Sequence, residues 1–296
     1  MPQESAVVIA TYSRRMRLRL ASGHEVDARI KGKRLKPVCG DAVSVRPIPG
    51  ETERLITSIR DRDNELTRPN LRGETDVLAA NVEQLVVVAA ATPDPDWYIV
   101  DRYLCAAENM NIPAVVVYNK SDLHRTGGDV ENALAEYERL GYAAVCVSAK
   151  TGDNFAELEA LLVGKIAIVV GQSGVGKSTI INRLTGARRQ KTAAVSEKRG
   201  EGRHTTVNSV MLSLPGGGAV IDSPGVRDYA PALQSSMEVV RGFPEIGAAG
   251  SRCRFANCRH LREPGCAVKE AVADAAIDTR RYESYRRLLA ITEKRG

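Results

Sequence analysis

Short segments with alternating apolar and polar positions fill the first part of the chain. Five of them lie between residue 5 and about residue 67: AVVIATY, RMRLRLA, HEVDARIKG, DAVSVRP and RLITSIRDR. A period of two residues is typical of a β-strand with one buried face. Turn residues separate the segments at Ser22-Gly23, at Cys39 to Asp41 and at Pro47 to Gly50. Five strands in so short a stretch predict a small β-barrel of the OB type.

From about residue 82 the pattern changes to continuous apolar runs that alternate with amphipathic segments. The runs are VEQLVVVAAAT, IPAVVVYNK, AAVCVSAK and KIAIVVG, and the amphipathic segments are PDWYIVDRYLCAAENM, VENALAEYERLG, NFAELEALLVG and GKSTIINRLTG. Apolar strands separated by helices predict a parallel sheet that helices cover on both faces. VNSVMLSL and AVIDS, joined by PGGG, predict a hairpin that forms an antiparallel edge of this sheet.

The end of the chain combines a loop rich in Cys and His with two helical patterns. The helical patterns are CAVKEAVADAA and TRRYESYRRLLAITEK. Together the three regions predict a multi-domain protein: a barrel in residues 1–69, a central α/β domain in residues 70–236 and an α-helical domain in residues 237–296.

Composition and charge narrow the class of protein. Hydrophobic residues make up 43% of the 296 residues and charged residues 26%, which is ordinary for a soluble globular protein. The longest apolar run, Leu85 to Ala91, is too short to cross a membrane, and the N-terminus lacks the layout of a secretory signal. We therefore expect a cytoplasmic protein without a membrane partner.

The net charge of +6 is concentrated at the two ends of the chain. Residues 1–69 carry 14 Lys or Arg against 9 Asp or Glu, residues 70–236 carry 16 against 19, and residues 237–296 carry 12 against 8. Two basic ends favour a nucleic acid partner, although a solvated surface would give the same surplus. The barrel segment has Tyr12 as its only aromatic residue, so contacts to a nucleic acid backbone fit better than base stacking. A barrel that only packs, without a ligand, is the alternative.

The strongest motif is GQSGVGKS, which follows an apolar run and begins a helical segment. Glycines allow successive backbone N–H groups to point at phosphate oxygens, and the start of the helix adds positive potential. Lys177 is placed to reach the β- and γ-phosphates and to contribute to catalysis, and the Ser178 hydroxyl is placed to bind Mg²⁺. The predicted phosphate-binding residues are Gly171, Gln172, Ser173, Gly174, Val175, Gly176, Lys177, Ser178 and Thr179.

A second Mg²⁺ contact is predicted at Asp222, which ends the segment AVIDS and begins the pattern D-x-x-G. In this pattern the N–H of Gly225 lies near the γ-phosphate. On its own the pattern is weak, but its position at the end of a strand about 45 residues after Ser178 strengthens it.

Base recognition is predicted from two further strand ends. Asn119, Lys120 and Asp122 form N-K-x-D after the run IPAVVVY, and Ser148, Ala149 and Lys150 end the next one. A carboxylate at Asp122 can accept hydrogen bonds from N1–H and the 2-amino group of guanine, which adenine lacks. A backbone N–H at the second strand end can donate to guanine O6. The predicted ligand is therefore GTP, and GDP after hydrolysis.

The polar segment from Arg188 to Val207 has no periodicity and is predicted to be a switch loop. A threonine in it should bind Mg²⁺ and the γ-phosphate; Thr206 is our first choice, and Thr205 is the alternative. Val226 stands immediately after D-x-x-G, where many GTPases have a glutamine that orients water. Another group must then position the water, and His204 is the nearest candidate, although a surface histidine in a basic loop is the alternative.

The cysteine-rich loop contains Cys253, Cys258, His260 and Cys266, in the pattern C-x4-C-x-H-x5-C. Three thiolates and one imidazole complete a tetrahedral shell without an open position, so the predicted ion is one structural Zn²⁺ per chain. The alternative is three coincidental cysteines beside a surface histidine.

The order of the nucleotide motifs is permuted. N-K-x-D and S-A-K precede the glycine-rich loop, whereas small GTPases begin with that loop. With its barrel, R-H-T-T, I-D-S-P-G-V and the Cys/His loop, the whole chain resembles the circularly permuted bacterial GTPases of the RsgA or YjeQ family. The resemblance implies binding to the small ribosomal subunit and its 16S rRNA late in assembly, GTPase stimulation by the subunit, and release after hydrolysis. It also points to His204 as catalytic.

Two rival interpretations remain at this point. One is a nucleotide-gated RNA-binding protein for which hydrolysis is incidental, and the other is a translation or tRNA-modification GTPase. The permuted motifs and the Cys/His loop argue against the second. We expect a monomer.

Overall fold

The barrel is built as the alternating pattern predicts. The protein is described here by a computed structural model, which describes residues 4–12, 15–32, 34–70, 74–123, 128–186, 207–223, 233 and 235–294. Its first strands are β1 (Glu4–Tyr12), β2 (Met16–Leu20), β3 (Glu25–Ile30), β4 (Ala42–Pro47) and β5 (Arg54–Ile59). They lie in the order β1-β2-β3-β5-β4, and β4 pairs again with β1, which closes the barrel. The five-stranded OB-like barrel is thereby confirmed.

A hairpin that the sequence analysis did not predict links the barrel to the central sheet. It consists of β6 (Glu65–Pro69) and β7 (Thr75–Ala80). The barrel touches the end of β7 closely, because a Cβ on Gly40 would lie 2.0 Å from the carbonyl oxygen of Ala80. Glycine is therefore required at residue 40, whose φ of 95° also lies in the left-handed region.

The central domain has the predicted alternation of strands and helices. Its elements are β8 (Gln84–Ala90), α1 (Trp97–Met110), β9 (Ala114–Asn119), α2 (Gly128–Arg139), β10 (Ala143–Cys146), α3 (Phe155–Leu162), β11 (Ile166–Gly171), α4 (Lys177–Thr185), β12 (Val207–Ser213) and β13 (Ala219–Asp222). The strands lie in the order β10-β9-β8-β11-β13-β12, and the first five are parallel. Every residue of β8 and β9 is buried, as the continuous apolar runs require.

The prediction of an antiparallel edge at the hairpin is wrong in one respect. Strand β12 is antiparallel to β13, but it is not an edge, because its other side pairs with barrel strand β1. Thr11 lies opposite Ser209 in this pairing. An unpaired edge would leave N–H and C=O groups open to other chains, and the barrel covers them. Barrel and central domain consequently share one sheet of 11 strands.

In residues 235–294, which the structure describes, four short to medium helices form the C-terminal domain. They are α5 (Ser236–Arg241), α6 (Pro244–Gly250), α7 (Ala267–Ala273) and α8 (Thr279–Glu293). The last two correspond to the predicted helical patterns, and the first two were not predicted. Phe243, Ile246, Val268 and Tyr285 are fully buried in a core cluster of this domain to which α1 of the central domain also contributes.

A buried ion network fastens the C-terminal domain to the central one. Arg281 of α8 is fully buried, and its guanidinium donates to Asp101 of α1 (2.9 Å) and to Glu245 of α6 (2.9 Å). The hydroxyl of Tyr137 in α2 also donates to Asp101 (2.8 Å). Burial opposes the charge of Arg281, but Asp101 and Glu245 raise the pKa of its guanidinium above the ordinary value. Four helices of two domains therefore meet at one buried charge.

Among the residues that the structure describes, no helix is both long enough and apolar enough to span a membrane.

Candidate nucleotide site and metal cluster

The predicted nucleotide motifs meet at one edge of the central sheet. Strands β9, β10, β11 and β13 are parallel, so their carboxyl ends lie side by side. N-K-x-D follows β9, S-A-K follows β10, the glycine-rich loop follows β11, and Asp222 ends β13. This is the edge at which ligands bind in open α/β sheets.

The glycine-rich loop needs its glycines for close backbone contacts. Gly171, Gly174 and Gly176 have positive φ angles of 137°, 83° and 97°. A Cβ on Gly171 would lie 2.2 Å from the carbonyl oxygen of Val88. Val175 is fully buried, which anchors the middle of the loop in the core. The loop ends at the first turn of α4, whose N-terminal N–H groups favour an anion.

Asn119 joins the glycine-rich loop to the S-A-K loop. Its side chain is buried, and its amide nitrogen donates to the carbonyl oxygen of Val175 (2.8 Å). Its amide oxygen accepts from the N–H of Ala149 (3.1 Å). One amide thus fixes the distance between the phosphate-binding loop and the loop predicted to contact the guanine oxygen.

Lys120 lies across the glycine-rich loop. Its ammonium donates to the carbonyl oxygens of Thr92 (2.6 Å) and Gly174 (2.8 Å). The backbone of Lys120 is in the left-handed region, with φ of 62°. Two carbonyl oxygens therefore hold the Lys120 side chain against the glycine-rich loop, and its position along a bound base stays a prediction of the motif.

Asp122, the predicted base-reading carboxylate, is held by the neighbouring loop. It lies in a 3₁₀ turn, Ser121–Leu123, and accepts a hydrogen bond from the Ser148 hydroxyl (2.6 Å). That hydroxyl in turn accepts from the N–H of Thr151 (3.1 Å). A carboxylate fixed in this way is oriented before a ligand binds, which reduces the ordering cost of binding.

Lys177 and Asp222 lie at the part of the edge predicted to bind the phosphates. The ammonium of Lys177 donates to the carbonyl oxygens of Gly171 (2.7 Å) and Gln172 (2.6 Å) and so lies over the loop. Directly after Asp222, the hydroxyl of Ser223 shares a hydrogen bond of 2.9 Å with that of Ser209 in β12. The segments that lead to the two predicted switch regions are thereby linked.

The structure brings most of the predicted nucleotide residues together. Those on the four strand ends are Asn119, Lys120, Asp122, Ser148, Ala149, Lys150, residues 171–179 and Asp222. Four predicted residues lie outside the described residues: His204, Thr205, Thr206 and Gly225.

Arg183 supports the site and was missed by the sequence analysis. From α4 it donates to the carbonyl oxygen of Ala149 (3.2 Å), and its guanidinium lies over the ring of Phe155. A Cβ on Gly152 would lie 2.0 Å from this guanidinium. Gly152, directly after S-A-K-T, was the sequence feature that could have indicated Arg183, because a residue without a side chain can mark a place where another group comes close.

The cysteine-rich loop forms a compact cluster. The ligand atoms of Cys253, Cys258, His260 and Cys266 all lie within 4.8 Å of one another. His260 Nδ1 is 3.5 Å from the sulfurs of Cys253 and Cys266, and these two sulfurs are 3.9 Å apart. Such a group of donors can hold a metal ion.

The histidine of the cluster is fixed in place and kept neutral. The Tyr282 hydroxyl donates to the carbonyl oxygen of His260. The Nε2 side of the ring lies against Gly250, where a Cβ would be 3.0 Å away, and Nδ1 faces the sulfurs. Burial lowers the pKa of His260 below its ordinary value. A neutral imidazole is the form that binds metals.

The sheet, the glycine-rich loop and the guanine motifs define the class as a P-loop GTPase, and the order of the motifs along the chain makes it a circularly permuted one. The family model for the RsgA GTPase matches residues 59–231. The chain belongs to the RsgA GTPase family.

Relatives and solved structures agree with this assignment. A small ribosomal subunit biogenesis GTPase RsgA from Ectopseudomonas mendocina (strain ymp) is 42% identical over 86% of this chain and 74% of that protein. The one from Actinobacillus pleuropneumoniae serotype 5b (strain L20) is 36% identical over 97% and 85%. The crystal structure of YjeQ from Thermotoga maritima has a TM-score of 0.76 at 29% identity and covers 98% of this chain and 99% of its own. That of YloQ, described as a circularly permuted GTPase, has a TM-score of 0.75 at 26% identity, with 100% and 96% covered.

Proposed function

We propose that this GTPase binds the small ribosomal subunit late in its assembly, hydrolyses GTP when the subunit stimulates it, and then dissociates. The observation that best supports guanine nucleotide binding is that hydrogen bonds hold Asp122, Asn119 and the glycine-rich loop together at one sheet edge. The partner is supported by the relatives, which are named as small ribosomal subunit biogenesis GTPases. The basic surplus of residues 1–69 and 237–296 fits contact with 16S rRNA.

In this proposal each strand end has one task. Asp122 accepts from guanine and thereby excludes adenine, which would leave a desolvated carboxylate unpaired. Lys177 and the N–H groups of the glycine-rich loop stabilise negative charge on the phosphates. Ser178, Asp222 and Thr206 would hold Mg²⁺, which neutralises charge on the phosphate oxygens. Their oxygen donors suit this ion.

The water that attacks the γ-phosphate would be positioned by His204, because Val226 offers no hydrogen bond. His204→Ala should lose subunit-stimulated phosphate release while the affinity for GTP stays unchanged. His24→Ala, an exposed histidine of the barrel, serves as the control. Stimulated release that survives in His204→Ala would contradict this role.

The cluster in the C-terminal domain would hold one structural Zn²⁺. A tetrahedral zinc site places its nitrogen about 3.6 Å from each sulfur and its sulfurs about 3.8 Å apart. The distances in the cluster, 3.5 Å and 3.9 Å, agree with these values. All four protein donors are used, so the ion would organise the loop and leave no position for a substrate.

The central experiment measures phosphate release by the full chain alone and with purified bacterial small subunits, large subunits and tRNA. We expect small subunits, but not large subunits or tRNA, to stimulate phosphate release markedly. In a sedimentation assay, the protein should bind small subunits only when a GTP analogue is present. Lys177→Ala should lose both nucleotide binding and turnover. Equal turnover in all four mixtures, or uptake of ATP as readily as GTP, would refute the proposal.

We also keep three predictions as part of the proposal. The division into domains at residues 69/70 and 236/237 guides the choice of variants. We expect the protein to be a monomer. We also expect it to be cytoplasmic, because small ribosomal subunits assemble in that compartment in bacteria. Gel filtration with light scattering measures the monomer directly.

A further inference from the structure

Phe255 differs from the other phenylalanines of the chain in its exposure. Phe155 and Phe243 are buried, whereas Phe255 is 41% exposed in the loop between Cys253 and Cys258. A single exposed apolar side chain is ordinary on a protein surface. Its surroundings therefore decide whether the exposure has a use.

Those surroundings are strongly basic. The segment 252–263 contains four exposed arginines, Arg252, Arg254, Arg259 and Arg262, and one carboxylate, Glu263. Glu263 is directed at the backbone, where it accepts from the N–H groups of Arg259 (3.0 Å) and Leu261 (2.8 Å). The four arginines and Glu263 give the segment a charge of +3, and Arg259 is paired with Glu293 of α8, so Arg252, Arg254 and Arg262 are the arginines most open to a ligand. An aromatic ring stands in the middle of these charges, which is the chemistry of a polyanion-binding surface rather than of a protein-docking one.

The ring is also held in a defined position. The guanidinium of Arg254 lies over it, 5.5 Å from the ring centroid. The carbonyl oxygen of Phe255 accepts from the N–H of Cys258 (3.1 Å), so the ring stands on a tight turn. Cysteines of the cluster flank the ring, since Cys253 lies two residues before it and Cys258 ends the turn. A ring fixed before binding loses little conformational entropy when a ligand stacks on it.

We propose that Phe255 is a stacking platform for an unpaired nucleotide of an RNA chain, with the surrounding arginines contacting the adjacent phosphates. Stacking needs only the flat face of a base and is therefore tolerant of sequence. The arginines supply the salt-dependent part of the affinity. The inference rests on the proposed function in one respect, since the RNA that it would contact in the cell is that of the small ribosomal subunit.

Three substitutions at residue 255 separate stacking from other roles. Phe255→Ala and Phe255→Leu should weaken binding by about tenfold or more, the effect of losing one stacked base, while Phe255→Tyr should stay within about twofold. Binding is measured by fluorescence anisotropy with a labelled adenosine oligonucleotide of about 12 residues, a length that single-strand-binding surfaces accommodate. It is also measured with purified small subunits. Ile291→Ala, which removes a similarly exposed apolar side chain (38%), is the control and should bind like the wild type.

Salt dependence distinguishes the ring from the arginines. Arg262→Ala should reduce the slope of log affinity against log salt by about one, whereas Phe255→Ala should weaken binding with the slope unchanged. The metal content of each variant is measured first, because loss of the ion would loosen the loop. The comparison uses variants that retain it.

Several results would overturn the assignment of Phe255. Unchanged binding of the oligonucleotide by Phe255→Ala, or no binding of it by the wild type, removes the stacking role. If leucine replaces Phe255 as well as tyrosine does, the partner presents an apolar pocket, as a protein would. If the wild type fails to bind small subunits, the proposed function is wrong, and the oligonucleotide series still decides on Phe255.

Discussion

Gly176 illustrates how a single residue sets the shape of the nucleotide site. Its φ of 97° lies in the left-handed region, and a Cβ there would lie 2.3 Å from the amide nitrogen of Asn119. That nitrogen donates to Val175 and so determines where the glycine-rich loop lies. A side chain at residue 176 would therefore displace the residue that aligns two nucleotide-binding loops.

We predict that Gly176→Ala lowers the affinity for GDP and for GTP analogues by about tenfold. The new side chain would displace Asn119 and break its hydrogen bond to the carbonyl oxygen of Val175, and one hydrogen bond is worth about 1 kcal/mol or somewhat more. Titration with a fluorescent guanine nucleotide measures the change. The control is Gly141→Ala, which introduces a side chain at a similar φ of 91° but meets nothing within 4 Å. The control should cost about 1–2 kcal/mol of stability and leave the affinity unchanged. If both variants lose the same affinity, general strain rather than contact with Asn119 is the cause.

Helix α8 connects the C-terminal domain to the rest of the molecule through Arg281. We predict that Arg281→Met lowers the free energy of unfolding by about 3–5 kcal/mol, because the buried carboxylate of Glu245 loses its guanidinium partner and that of Asp101 is left with Arg280 and the Tyr137 hydroxyl. Urea unfolding followed by circular dichroism measures the change. Arg286→Ala breaks an exposed ion pair with Glu283 on the same helix and should cost about 0.5 kcal/mol or less. A loss for Arg281→Met no larger than that of the control would contradict the structural role of the network.

The metal loop permits a second prediction for a single element. Removal of the proposed Zn²⁺ by a chelator should expose the amides of residues 251–266 and of α7 to hydrogen exchange, since the loop itself has few apolar residues to keep it folded. Guanine nucleotide affinity should stay within about twofold, because the cluster and the nucleotide site belong to separate cores. Cys258→Ser should lose the ion and reproduce the effect, whereas Cys146→Ser, outside the cluster, should keep it. Unchanged exchange after loss of the ion would mean that the ion does not organise the loop.

The elements that the sequence predicted well are those with a long, regular pattern. Helix α1 and strands β8, β9 and β11 carry strong periodic or continuous apolar signals, and the motifs that contain Asp122 and Lys177 follow strands β9 and β11, as the sequence predicts. Helices α5 and α6 were missed because they have only 6 and 7 residues, too few for a period to appear. The β6–β7 hairpin was missed because Pro69 and a charged turn interrupt its pattern.

At the scale of the whole molecule, the decisive feature is the pairing between β1 and β12. Periodicity gives the faces of a strand but not its partner, so nothing in the sequence of β1 indicated a neighbour about 200 residues away. The same limitation explains the network around Arg281, since a helix pattern does not say which carboxylate its arginine will meet. Interactions between domains are thus the part of this fold that sequence patterns leave open.

Because β1 and β12 pair in one sheet, we predict that a substitution that destabilises the barrel core also destabilises β12. Leu18 is fully buried in the barrel and lies opposite Val8 of β1. Leu18→Ala should destabilise the barrel by about 2–5 kcal/mol. Because β1 covers one side of β12, the amides of Val207–Ser213 should then exchange faster in hydrogen-exchange mass spectrometry, while β8 stays protected.

The matched control for Leu18→Ala removes a leucine from the core cluster of the C-terminal domain. Leu288→Ala should increase exchange in α5 to α8 and leave β12 as it is in the wild type, since the core cluster of Leu288 includes Tyr98 and Cys105 of α1 but no residue of β12. If β1 exchanges faster in Leu18→Ala but β12 does not, the pairing between them contributes nothing to the protection of β12. If both strands respond, any partner that stabilises the barrel also stabilises β12. The hydroxyl of Ser209 in β12 is hydrogen-bonded to that of Ser223. A partner that binds the barrel would therefore also stabilise the residue that follows Asp222.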